Sequence, residues 1–119
     1  MSEPKIKFRK FKCLPKIEVS EIIDWDKPYS EIEIPEGLRL INIYELITLL
    51  ESEEEYKFLG KYKNKFNYFW IEQRKWDKKN DTACRVDRND NGNWDADWYN
   101  LDNSSDCGRV VFVKEATKQ

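Results

Sequence analysis

The stretch Asp87-Arg88-Asn89-Asp90-Asn91-Gly92 fits D-x-[DN]-x-[DN]-G, the opening of a calcium loop, with Asp87, Asn89, Asn91 and Asp95 as its oxygen ligands. Its twelfth position is Trp98, where such a loop needs a bidentate Glu, and no entering helix is expected. Asn91-Gly92 is better explained as a hairpin turn, because both residues tolerate positive φ. Asp95 and Asp97 share one side of an expected strand, and Asp102 and Asp106 follow. Two carboxyls about 5–9 Å apart can hydrolyse glycosides, but solvated acids in loops are the commoner outcome and nothing in the sequence points to a raised pKa. The chain has no histidine. That removes Ser-His-Asp and Cys-His nucleophiles, histidine-containing zinc sites and histidine pH switching together. Cys13, Cys84 and Cys107 lack CxxC spacing. Either they are three reduced thiols packed as small hydrophobes, or Cys84 and Cys107 are bridged between neighbouring strands. No catalytic set, metal site or cofactor is expected.

Recognition is the chemistry the remaining residues favour. Trp76, between Lys75 and Asp77, is the tryptophan expected to be exposed, whereas Trp70, Trp94 and Trp98 read as core. Residues 61–79 hold seven basic and two acidic side chains. An exposed aromatic within a basic segment suits an interface anchor with electrostatic steering. The expected partner surface is therefore Trp76 with Lys61, Lys63, Lys65, Arg74, Lys75, Lys78 and Lys79, facing an acidic partner. Trp98, Tyr99 and Asp102 form the alternative face. The segment 1–16 is also basic, 17–60 is acidic, and the net charge is −2. Duplex-DNA binding would call for a more basic domain and a recognition motif, so no nucleic acid is expected.

These residues need elements to hold them. With 119 residues, 37% of them charged, and with five Trp, six Tyr and six Phe, the chain reads as one compact domain, 1–119. Residues 5–12 alternate as a half-buried strand that Pro15 ends, and Ile17 and Val19 start a second extended piece. Asn42 and Glu45 make a capping box for a helix over 42–51, with Ile43, Leu46, Ile47 and Leu50 on one stripe. Ser52 and Glu55 repeat the capping pattern for a second helix that buries Phe58 and Leu59 and stops at Gly60. Strands are expected over 67–74, 83–88, 94–99 and 109–114, the last with alternating exposure. Residues 77–81 and 100–106 read as polar loops. The plan is α+β: two short helices followed by antiparallel strands, with the first strand paired beside the last.

The order of these landmarks resembles the short bacterial C-type-lectin-like domains, in particular the family named for the C-terminal domain of collagen-like surface adhesins. The resemblance covers 37–114. Gly37, Arg39, Leu40, Glu45 and Leu46 stand where the family has Gly-Trp-Arg-Leu-Pro and a helical Glu-Leu. Phe69-Trp70 marks the aromatic strand, Asn91-Gly92 the hairpin, and Val110-Val111-Phe112-Val113-Lys114 the final strand. Leu38 replaces the family's Trp, Ile41 its Pro, Ile71-Glu72 a Ser-Ser pair, and Phe112 its Cys. The resemblance implies a lectin-like binding scaffold. The Glu-Pro-Asn type of acidic loop that binds sugars through calcium is missing.

Function follows as an expectation: a non-catalytic module for protein–protein interaction, of a size and Lys-, Asn-, Glu- and Ile-rich composition that suits a phage or mobile-element factor acting on a host protein. The alternative is a glycan-binding domain of surface-adhesin type. The first residues show no signal peptide and no apolar run is long enough to span a membrane, so a cytoplasmic protein without membrane contact is expected.

Overall fold

The computed structural model describes residues 6–88, 92–103 and 107–116. Two sheets and three helices form a mixed α+β fold. Among the described residues no helix is long and apolar enough to cross a membrane.

The first sheet has four strands. β1 (Phe8–Phe11) turns tightly into β2 (Leu14–Ser20), and β2 pairs antiparallel with β9 (Phe112–Glu115), which also pairs with β4 (Arg39–Leu40). The N-terminal strand therefore does not lie beside the C-terminal one, as the sequence suggested. The second extended piece occupies that place, with Val19 opposite Val113. Pro15 does not end the ribbon either. It falls where the β1–β2 register shifts, between the pairs Phe11–Leu14 and Arg9–Val19, an irregularity that tolerates a residue without an N–H.

In the second sheet the order is β3 (Ile23–Asp24), β8 (Gly108–Val110), β5 (Tyr68–Trp70), β6 (Thr82–Arg88), β7 (Trp94–Asn100). The expected final strand over 109–114 is thus two strands. The chain leaves the second sheet at Val111, whose carbonyl accepts from the Ile41 amide, and enters the first sheet at Phe112. Because this segment passes between both cores, Gly108 to Val113 are all buried instead of alternating. β5 runs parallel to β8, so the strands are not all antiparallel. Strand β5 is also shorter than the 67–74 expected, since Arg74 already caps the next helix.

Helix α1 (Ile43–Leu50) forms as its sequence dictates. The Asn42 side chain accepts from the Glu45 amide at 2.9 Å, and Glu45 accepts from the Asn42 amide at 3.0 Å. Glu45 also takes two bonds from Arg39, at 2.8 and 2.6 Å, which ties the helix start to β4. Burial alone would raise the Glu45 carboxyl, but these bonds outweigh it and hold the group below its usual range. Leu46, Leu49 and Leu50 go into the core. Helix α2 (Glu55–Leu59) starts later than its sequence suggests. Ser52 accepts from the Glu54 amide instead of capping at Glu55, and Gly60 stops the helix with φ 51°.

The larger core joins Val19, Leu46, Leu49, Phe69, Ile71, Cys84, Val86 and Val113 between the helices and the sheets. Each fully buried aliphatic side chain here contributes about 1.5–3 kcal/mol. The smaller core gathers around Trp70, which is fully buried and met edge-on by Tyr29 and Tyr99 at 5.7 and 6.2 Å.

Candidate functional site

Residues 77–81, read from sequence as a loop, mostly belong to a third helix, α3 (Lys75–Lys79). Its organiser is Asp77, the one fully buried carboxylate among the described residues. Asp77 Oδ2 accepts from the Arg74 backbone amide at 2.9 Å and from Arg74 Nε at 3.0 Å, so a single oxygen both starts the helix and anchors a guanidinium. Burial by itself would raise the Asp77 carboxyl. The side-chain and backbone bonds from Arg74 and its charge, with a smaller contribution from Trp98, hold it below its usual value. The i, i+3 spacing of Arg74 and Asp77 is visible in the sequence, but no apolar stripe accompanies it to mark a helix.

This bracket supports an aromatic surface. The Arg74 guanidinium lies over the Trp98 ring at 5.6 Å, and Trp98 meets Trp76 edge-to-face at 6.1 Å and 71°. Trp76 is 56% and Trp98 48% exposed. Tyr44, at the start of α1, is still more exposed and is near enough for its hydroxyl to bear on Arg74. Lys75, Lys78 and Lys79 are exposed around the pair. Trp98 thus leaves the core assigned to it by sequence. It stands opposite Cys84 on the outermost strand, where the sheet ends among the described residues. Trp94 is half-buried against the main core and donates to Glu51 at 3.0 Å.

Two faces that sequence kept apart are therefore partly one. Trp98 joins Trp76 and Arg74, but Tyr99 and Asp102 do not. Tyr99 lies on the opposite side of β7, where the Arg85 guanidinium sits between the Tyr68 and Tyr99 rings at 4.3 and 4.2 Å and donates to the Tyr99 hydroxyl at 2.5 Å. Asp102 accepts from the Ser30 hydroxyl at 2.9 Å, a loop-fixing bond.

Lys61, Lys63 and Lys65 belong elsewhere. Lys61 and Lys65 lie over the buried Tyr62 ring at 5.3 and 5.4 Å, with Arg109 of β8 at 4.9 Å. Strand β8 is three positions from β7, roughly 14 Å across the sheet at the usual strand spacing. Lys63 lines a pocket of about 420 Å³ with Lys65, Leu50, Phe66, Phe69 and Arg88.

Among the described residues no group of Cys, Asp or Glu is arranged to hold a metal ion. Three residues of the calcium-like motif, 89–91, lie outside the described residues, as does Asp106. Asp87 stands opposite Asp95 across β6 and β7. Burial first, then the Asp95 and Asp97 charges, push the Asp87 carboxyl up. The turn read at Asn91-Gly92 falls partly outside the described residues, of which Arg88 pairs with Trp94 and Gly92 has φ 80°. All three cysteines are free thiols, and burial pushes the Cys84 thiol up to about 11. No family model, curated protein or solved structure matches the chain.

Proposed function

We propose that this protein is a non-catalytic binding module that engages an acidic protein partner through the face formed by α3 and β7. The observation that carries the reading is the Trp76–Trp98 pair: two tryptophans in edge contact, both about half exposed, braced from below by Arg74 and Asp77. Tryptophan and arginine dominate the energetics of protein interfaces, and a pre-braced aromatic loses little entropy on docking. Lys75, Lys78 and Lys79 give the rim a positive field that suits acidic side chains. The lack of histidine and the high thiol pKa of Cys84 leave little to support nucleophilic catalysis.

The lectin-like assignment remains part of this proposal. Its support is the ordered run of Gly37 in a positive-φ turn, the capped α1, the Phe69-Trp70 strand and the closing strand beside the N-terminal ribbon. On that scaffold the module acts in the cytoplasm on a host protein, as suits a phage or mobile-element factor. A glycan ligand is the second reading, favoured by the same exposed tryptophans, which can stack on sugar rings.

Photo-crosslinking from position 98, followed by binding measurements on the captured protein, tests the proposal. Trp76→Ala should weaken that complex by more than about 1 kcal/mol. An unchanged affinity, or binding to a glycan array that Trp76→Ala abolishes, would overturn the protein-partner reading.

A further inference from the structure

The sheet edges of this protein are not treated alike. An edge strand presents unpaired N–H and C=O groups, and proteins blunt it by shortening, bulging or placing charged residues or Pro on it. Three of the four edges here follow that rule. β3 and β4 are two residues long, and β1 is four residues long, carries Arg9 and Lys10, and has an irregular register. The fourth, β7, relies on Asp95 and Asp97 alone. It is seven residues long, contains no Pro, Lys or Arg, and keeps an unbroken register with β6 from Trp94 to Asn100. Among the described residues β6 is the only strand it pairs with, and five of its seven residues are exposed.

Its two sides differ in chemistry. Asp95 and Asp97 share one side with Asp87, Arg85 and Tyr99; Arg85 stands opposite Asp97 and stacks on Tyr99, and among the described residues neither Asp95 nor Asp97 makes an ion pair within 4 Å. Ala96 and Trp98 share the other side, where Trp76 adjoins. A second copy of this chain is a poor occupant. Antiparallel β7–β7 pairing would set the aspartates of the two copies against each other, and like charges directly opposite are destabilising. The crowding already pushes up Asp87, through burial and then through the Asp95 and Asp97 charges.

From this edge and its two sides we infer that β7 accepts an extended segment of the protein partner as a sixth strand, with Lys or Arg at alternate positions toward Asp95 and Asp97 and apolar residues between them toward Ala96 and Trp98. Main-chain bonds would supply the pairing, and the alternation the selectivity. The inference deepens the proposed function and rests on it through Trp98, which belongs to both surfaces. The basic rim on α3 meets acidic groups elsewhere on the same partner.

The test uses a short synthetic peptide alternating Lys with Val, its Glu–Val counterpart, and two Lys–Val peptides N-methylated at every Lys or at every Val. Binding is followed by amide shifts of the full-length protein. The Lys–Val peptide should shift β7 amides. One N-methylated form should bind at least about ten-fold more weakly while the other binds within about two-fold of the parent, since only alternate amides face the edge. Asp95→Lys with Asp97→Lys, both exposed positions, should transfer the preference to the Glu–Val peptide. No binding of the Lys–Val peptide, or equal binding of both N-methylated forms, overturns the inference. Neither result touches the Trp76 reading, which the captured-partner measurement decides on its own.

Discussion

Tyr62 and Trp76 are both aromatics set among lysines in one basic stretch, yet the fold uses them in opposite ways. At Tyr62 the cations close over the ring, with Lys61, Lys65 and Arg109 all within 5.4 Å of its centroid and the side chain only 5% exposed. Its hydroxyl is raised by burial and then by a bond to Asp24, which also faces Arg109 at 3.4 Å. At α3 the one cation that covers an aromatic, Arg74, lies over Trp98 and is committed to Asp77. The lysines there are exposed, and both indoles are left half in water. Cation–aromatic proximity in a sequence does not say which arrangement results. The buried anion does: Asp77 fixes the exposed Arg74 against the Trp98 face and leaves both tryptophans outside.

The contrast breaks most visibly in stability. Tyr62→Ala should cost about 3 kcal/mol, the range for emptying a buried aromatic site. Trp76→Ala should cost less than about 0.5 kcal/mol, as for an exposed side chain. Denaturant unfolding of the two variants measures this directly. Equal losses would mean that Trp76 is a core residue and not an anchor.

The next effect concerns the anion. Asp77→Ala removes both bonds to Arg74 and should cost about 2 kcal/mol, the upper range for a lost cap. The sign with pH follows from its lowered pKa. A carboxyl that is more acidic when folded stabilises above its unfolded pKa, and this stabilisation is lost as pH falls through the folded value, here below about pH 4. Glu45 is lowered too and shares that acid limb. Asp87 runs the other way. Its raised carboxyl resists ionisation in the fold, so Asp87→Asn should stabilise the protein at neutral pH and lose that advantage on acidification. Stability measured from pH 7 to pH 2 on the three proteins separates these contributions. An acid limb unchanged in Asp77→Ala would leave Glu45 as its source.

How much of this was legible in the sequence depends on whether local chemistry decided the outcome. Helix α1 was, because Asn42, Glu45 and the leucines agree on one answer. The strands β6 and β7 were, since the stretches 83–88 and 94–99 read as strands match them to within one residue at each end. Helix α3 was not, since a five-residue helix started by a buried Asp leaves no periodic pattern. The division of the last strand at Val111 was not either. A run buried on both sides looks the same whether it stays in one sheet or crosses between two. Trp98 was misassigned because exposure at a sheet edge depends on strand order, which no local signal in the chain specifies. For the same reason Trp76 could be singled out from its neighbours in the sequence, while its ring partner could not.

The smallest effect on stability, and the one that sharpens the comparison furthest, belongs to the lysines. At Tyr62 they cover a ring. On α3, Lys78 and Lys79 lie in the last helical turn and touch water. Their structural role there is to oppose the negative end of a short helix, worth about 0.3–1 kcal/mol each at low salt and less once salt screens it. Lys78→Glu with Lys79→Glu should therefore leave the fold nearly as stable as before. Their larger role is in encounter. Two charges reversed on the rim of a surface that meets acidic groups should slow association and flatten or invert its salt dependence, with dissociation little altered. Stopped-flow association with the captured partner at low and high salt would show this. A change confined to the dissociation rate would place the lysines inside the contact, where they cover an aromatic of the partner much as Lys61 and Lys65 cover Tyr62.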